Sequence, residues 1–170
     1  MSHYILTAEH IQKEYNGNTV LRDVSIHIKK GEIYGLVGKN GSGKTTLFRI
    51  LTGLIQRYNG TVSVAEAGVQ KSKVSAVINF PSLFLNLSAF ENMKAQAFLL
   101  GMHDDSRIEQ TLKIVGLEDC RNKLARNFSQ GMTQRLRLGM ALLENPDILI
   151  LDEPVNGLDP DGIAELRELL

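Results

Sequence analysis

The stretch GLVGKNGSGKTT, residues 35–46, decides the fold of this 170-residue chain. It places four glycines and two lysines between an apolar run and a segment with helical spacing. Glycine lets a backbone approach a ligand closely, and successive amide N–H groups that point inward form a nest for anions. The stretch therefore predicts a phosphate-binding loop.

The residues on both sides of this loop predict a strand, a loop and a helix. Residues 33–37 form an apolar run typical of a strand, and residues 44–54 carry apolar side chains at helical spacing. In this context the loop matches the phosphate-loop pattern G-x-x-x-x-G-K-[ST]. We expect its backbone amides, aided by the helix dipole, to hold the β-phosphate of a nucleotide. The residues expected to bind are Gly38, Lys39, Asn40, Gly41, Ser42, Gly43, Lys44, Thr45 and Thr46.

Four side chains are candidates for the chemistry at this phosphate. Lys44 is expected to reach the β- and γ-oxygens, and Thr45 to offer its hydroxyl to Mg²⁺. The apolar run of ILILDEP predicts a buried strand, so Asp152 should lie beside the loop and bind the same ion. Glu153 is the candidate general base for an attacking water. The alternatives are a glycine turn that caps a structural helix and a solvated turn that carries two carboxylates.

The rest of the sequence predicts an antiparallel edge and a group of helices. Apolar residues alternate with polar ones over residues 24–29, which indicates a half-buried strand with residues 5–15 as its partner. Ser88 and Glu91 form a capping box that should open a helix. We place a helical subdomain at residues 81–128. Further expected elements are strands at 61–64, 74–78 and 148–151 and helices at 106–115 and 131–143.

Composition limits the classes of partner. Nineteen basic and nineteen acidic residues give a net charge of zero, so we expect no binding to nucleic acid. A single cysteine, Cys120, excludes an internal disulfide and is typical of a reducing compartment. Because no apolar stretch approaches the length of a membrane span, a membrane role would require a partner.

Two further motifs make the chain similar to the nucleotide-binding subunit of ATP-binding cassette (ABC) transporters. FSQGMTQR, residues 128–135, resembles the family signature LSGGQ and keeps Ser129 and Gly131. The resemblance implies that these residues contact the γ-phosphate of ATP bound to an opposite subunit. NGLDP, residues 156–160, resembles the family's D-loop, which implies that Asp159 couples two sites across a dimer.

Three other positions are interpreted through the same resemblance. Tyr15 stands where the family has an aromatic that stacks on adenine, although an ordinary strand aromatic is the alternative. Asn79 stands where the family's Q-loop usually has a glutamine. Asparagine keeps the side-chain amide but has a shorter reach, and the resemblance implies a role at Mg²⁺. The family's switch histidine follows the D-loop, whereas all four histidines here precede Asp152. The sequence therefore predicts a C-terminally truncated subunit that lacks this histidine and at least one central strand.

The resemblance implies an α/β fold, with a P-loop NTPase (RecA-like) core at residues 1–80 and 129–170, an antiparallel β edge and the helical insertion. It implies a motor subunit that hydrolyses ATP with Mg²⁺ and dimerises head to tail with a second ATP-binding subunit. Its partners would be transmembrane permease subunits, at the cytoplasmic face of the cell membrane. Residues 33–54 look most like the peptide-antibiotic export branch, which includes bacitracin- and lantibiotic-type exporters. The apolar loop 79–87 is a candidate docking surface, with packing between subdomains as the alternative.

Three other readings remain open at this point. A non-transport ABC ATPase of DNA repair or translation is one, although the sequence between the loop and the signature has no heptad run. A GTPase is another, but residues 122–125 read NKLA, with Ala125 where a base-binding carboxylate would stand. The third is a nucleotide-binding module without turnover.

Overall fold

The structure is a computed structural model, and it describes residues 4–67, 70–78, 83–156 and 158–169. The strands are β1 (Tyr4–Tyr15), β2 (Asn18–Lys29), β3 (Asn59–Val64), β4 (Glu66–Ala67), β5 (Gln70–Lys71), β6 (Val74–Val77) and β7 (Ile148–Leu151). The helices are α1 (Lys44–Leu51), α2 (Ala89–Leu99), α3 (Ser106–Ile114), α4 (Gln130–Leu142) and α5 (Pro160–Leu169), with 3₁₀ turns at Glu118–Cys120 and Ala125–Asn127.

The predicted antiparallel edge is confirmed. β1 lies between β2 and β3, and it is antiparallel to both. Thr7 is opposite His27, and Tyr15 is opposite Asn18 next to the tight turn between the two strands. One face of this sheet contributes Leu6, Ala8 and other buried side chains to an apolar core, which explains the alternation in the sequence.

The strand before the two carboxylates is also confirmed. β7 pairs in parallel with β6, with Val74 opposite Ile148 and Val77 opposite Leu151. The amide of Asp152 donates to the carbonyl of Val77 at 2.9 Å, which extends the ladder by one bond. This bond holds Asp152 at the carboxyl end of the strand.

The predicted strand at residues 33–37 is wrong. These residues have no strand conformation, and Ile33 and Val37 are 90% and 96% exposed. A strand is stable only beside a hydrogen-bonded neighbour, and among the described residues β7 pairs with β6 alone. A cavity of about 170 Å³ lies between this segment and β7, lined on its two sides by residues such as Leu36 and Ile150.

The helix that follows the glycine loop is shorter than predicted. α1 ends at Leu51, whereas the periodicity extended it to Leu54, which is 70% exposed. Gly53 has a φ of +76°, and its amide donates to the carbonyl of Ile50. A left-handed glycine closes a helix in this way, so the backbone ends α1 before the apolar pattern does.

The helices after β6 pack around a second apolar cluster. The capping box is confirmed, since the Ser88 hydroxyl accepts from the amide of Glu91 and the Glu91 carboxylate accepts from the amide of Ser88. These bonds from Ser88 hold the pKa of the Glu91 carboxyl below its ordinary value. The cluster is built from α2, α3, α4 and the segments between them: Ala89, Met93, Ala97, Ile108, Leu112, Val115, Leu117, Leu136, Met140 and Leu143. Within the described ranges, no helix combines the length and the hydropathy needed to cross a membrane.

Candidate nucleotide-binding site

The glycine loop turns sharply into α1 at a position that only glycine fits. Gly43 precedes the helix with a φ of +95°, and a Cβ placed there would lie 2.8 Å from Leu21 and 2.9 Å from the carbonyl oxygen of Val20. A Cβ on Gly38 would lie 2.7 Å from the Ser42 hydroxyl. The glycines therefore let the loop fold tightly against β2, as a cradle for an anion requires.

Lys44 currently bonds to its own loop. Its ammonium donates to the carbonyl of Gly38 at 2.7 Å and to that of Lys39 at 3.1 Å. The amide of Ser42 also donates to the Lys39 carbonyl, at 3.1 Å. A phosphate oxygen that enters the loop can replace these carbonyls as the acceptor, so the lysine is already held at the mouth of the cradle.

The loop and the end of β7 meet through one hydrogen bond. The Thr45 hydroxyl donates to the carboxylate of Asp152 at 2.6 Å, although the two residues are 107 positions apart in sequence. Asp152 is 7% exposed, so this donor partly compensates for burial of its charge. The predicted metal-binding pair is thus in direct contact.

The donor set fits Mg²⁺ bound together with a nucleotide. Among the described residues no group of three or more His, Cys, Asp or Glu side chains could hold a metal ion. Mg²⁺ usually binds through one or two carboxylates plus substrate phosphates and waters. Asp152 and the Thr45 hydroxyl match that requirement, with the remaining ligands left to the phosphates and water.

Glu153 follows at the start of a tight turn. Its φ of +50° is left-handed, which is uncommon for a residue with a side chain. The amide of Asn156 donates to the Glu153 carbonyl at 3.1 Å and closes the turn. Glu153 is exposed while the adjacent Asp152 is buried, so the turn directs the two carboxylates into different environments.

Tyr15 lies at the end of β1, with 42% of its surface exposed. The ammonium of Lys13 is 4.6 Å from the centre of its ring and donates to the carbonyl of Arg57 at 2.7 Å. Sequence reasoning missed Lys13. The signal was available, because residues two apart on a strand project from the same face.

The signature residues and the D-loop aspartate lie in a different cluster. Ser129 caps α4, and its hydroxyl accepts from the amide of Met132 at 3.2 Å. Asp159 accepts from the amide of Gly162 at 2.9 Å at the start of α5. Ser129, Gly131 and Asp159 line one shallow cavity between these two helices. The structure thus brings the signature and the D-loop together in this chain, whereas Asn79 lies outside the described residues.

Comparison with known proteins agrees with these features. The sequence profile described as ABC transporter matches residues 21–156. The bacitracin transport ATP-binding protein BcrA of Enterococcus faecalis is 39% identical over 98% of this chain and 56% of the relative. The lantibiotic transport ATP-binding protein SrtF of Streptococcus pyogenes is 40% identical over 98% of this chain and 73% of the relative. The chain therefore spans little more than half the length of the first of these relatives.

Solved structures give the same answer for the fold. The cbiO1 protein from Clostridium perfringens, part of the ABC transporter complex cbiONQ, superposes with a TM-score of 0.84 at 28% identity, over 99% of this chain and 72% of that one. An ATP-binding cassette of an ABC transporter in its ADP conformation superposes with a TM-score of 0.86 at 21% identity, over 99% and 76% of the two chains. This second likeness concerns the fold alone. With the matched profile and the two transport relatives, it follows that the chain belongs to the ABC transporter family of ATP-binding domains.

Proposed function

We propose that this chain binds and hydrolyses ATP as the motor subunit of an exporter. The observation that carries the proposal is the Thr45–Asp152 hydrogen bond of 2.6 Å. It joins the phosphate loop to the carboxyl end of β7, so a nucleotide in the loop would lie beside Asp152, with Glu153 as the next residue of the chain. Family membership supports ATP as the ligand.

The chain's own residues have separate tasks in this proposal. The loop amides and Lys44 hold the β- and γ-phosphates, and Tyr15 stacks on the adenine. When bound, Mg²⁺ would be held by Thr45 and Asp152 and would neutralise phosphate charge. Glu153 orients a water and takes its proton as the water oxygen attacks the γ-phosphorus, with ADP as the leaving group.

We place the signature residues opposite the nucleotide of a second copy or of a related subunit. Ser129 and Gly131 lie at the N-terminus of α4, where amide groups and the helix dipole favour a negative charge. Asp159 lines the same cavity. Head-to-tail pairing would bring this cluster to the γ-phosphate held by the partner's loop, so that Asp159 couples the two sites.

The names of the relatives suggest the transported substrate, and an exposed apolar surface suggests where the membrane partner binds. The relatives are named for transport of bacitracin and of lantibiotics, so we propose a peptide antibiotic as the cargo. Phe84 and Leu85 are both 58% exposed, in the segment just before α2. We propose that they dock on a permease helix at the cytoplasmic face of the membrane.

The proposal is tested by measuring Mg-ATP binding and hydrolysis on the same protein. Lys44→Ala should weaken binding, because it removes a phosphate ligand. Glu153→Gln should leave binding intact and abolish turnover, because it removes the base while keeping the size of the side chain. Steady turnover in Glu153→Gln would refute the assignment of the base. ATP binding with no turnover in the unaltered chain would favour the module without hydrolysis.

A further inference from the structure

Asn156 makes a direct contact with the proposed base. Its side-chain amide donates to the carboxylate of Glu153 at 2.5 Å. A hydrogen bond to an ionised acceptor is shorter and about twice as strong as a neutral one. The backbone amide of Asn156 also donates to the Glu153 carbonyl and closes the turn. Asn156 therefore hydrogen-bonds to Glu153 through both its side chain and its main chain.

The backbone of this turn is held from a second direction. Gln134, on α4, is 6% exposed, and its side-chain amide donates to the carbonyl of Pro154 at 3.0 Å. A buried amide with a satisfied partner is costly to displace. Gln134 therefore fixes the peptide bond between Pro154 and Val155, inside the turn, and connects the turn to the helix that begins after Ser129.

The need for such contacts follows from the exposure of Glu153. Its side chain is exposed, so packing does not select one of its staggered rotamers. Without a donor the carboxylate would sample several rotamers. One donor on one of its oxygens leaves the other oxygen available to accept a proton from water.

We propose that Asn156 is a positioning residue that holds the carboxylate of Glu153 in the orientation required for general-base catalysis, in a turn that Gln134 braces. The inference rests on the proposed function, because it assigns a task to the base. Asn156 itself touches neither water nor nucleotide in this account. Removing the Asn156 side chain should therefore lower the turnover rate and leave ATP binding unchanged.

The kinetic test compares Asn156→Ala, Asn156→Asp and Asn156→Ser with the unaltered chain. Asn156→Ala should lower kcat by about tenfold with little change in KM for ATP, as expected for a hydrogen bond to a charged group. Asn156→Ser keeps a donor and should recover part of the loss. Asn156→Asp adds a like charge beside Glu153, so it should also move the acid limb of the pH–rate profile to higher pH.

Asn122→Asp is the matched control, because it makes the same charge change at an exposed position in the helical region. It should change neither kcat nor the pH–rate profile. If Asn156→Ala retains a kcat within about twofold of the unaltered chain, a difference too small for a lost charged hydrogen bond, the inference is overturned while the proposed function stands.

A stability measurement tests the hydrogen bond between Asn156 and Glu153 even if the unaltered chain shows no turnover. Urea unfolding midpoints of Asn156→Ala, Glu153→Ala and the double variant form a double-mutant cycle. A real contact makes the double variant less destabilised than the sum of the two single changes. Additive shifts would overturn the inference independently of any activity. Absence of turnover in the unaltered chain would count against the proposed function and not against the contact.

Discussion

Replacing Gly43 by alanine tests whether the phosphate loop is shaped by backbone sterics. Gly43 has a φ of +95°, and an added Cβ would lie 2.9 Å from the carbonyl oxygen of Val20, which belongs to β2 and cannot move freely. A side chain in a left-handed conformation costs about 1–2 kcal/mol, and a methyl forced into a packed site costs a further ~1–3 kcal/mol. Gly43→Ala should therefore lower the free energy of unfolding by about 2–5 kcal/mol.

The matched control for this change is Gly53→Ala. Gly53 also has a left-handed φ, of +76°, but a Cβ there meets nothing within 4 Å. Gly53→Ala should therefore lower the free energy of unfolding only by the cost of the left-handed conformation, about 1–2 kcal/mol. Urea denaturation followed by circular dichroism measures the unfolding midpoints of both variants. With a slope of about 1–3 kcal/mol per molar urea, the remaining difference of about 1–3 kcal/mol should separate the two midpoints by about 0.3 M or more. Equal midpoints for the two variants would refute the steric explanation.

Two further changes test contacts on β1. Lys13→Met removes the charge over the Tyr15 ring while keeping the length of the side chain. It should raise the KM for ATP about two- to fivefold. If Lys13→Met raises the KM equally when Tyr15 has already been replaced by alanine, Lys13 does not act through the ring. The hydrogen bond and charge of Asp23 raise the pKa of His10 above its ordinary 6.5. The folded state therefore binds this proton more tightly, so the stabilisation is fully present below pH 6.5 and disappears as the pH rises through the raised pKa. The urea midpoint of Asp23→Asn should be below that of the unaltered chain in acid and approach it in alkali; a constant gap would contradict this assignment.

Local patterns predicted the elements whose stability depends on near neighbours. The antiparallel edge follows from alternation along β2, and the start of α2 follows from the capping box of Ser88 and Glu91. The segment at residues 33–37 failed because its apolar pattern is typical of a strand but does not reveal whether another strand lies beside it. A strand requires a partner that residue pattern alone does not provide.

The site shows a similar division. Motif spacing selected Thr45 and Asp152, and the fold then placed their side chains 2.6 Å apart. The spacing could not indicate Gln134 or Asn156, because each acts through a contact that depends on the three-dimensional path of the chain. The roles assigned to Tyr15 and Ser129 stay predictions until a nucleotide complex or kinetics tests them.

A nucleotide site shared between two copies is tested by ATP hydrolysis in a mixture of two inactive variants. Lys44→Ala disables the phosphate loop, and Ser129→Arg disables the signature, so each alone should be inactive. In a head-to-tail dimer of the two variants, one site has an intact loop and faces an intact signature. Mixing the two variants should therefore restore turnover. A mixture that stays inactive, under conditions where the unaltered chain hydrolyses ATP, would contradict a site shared between two copies.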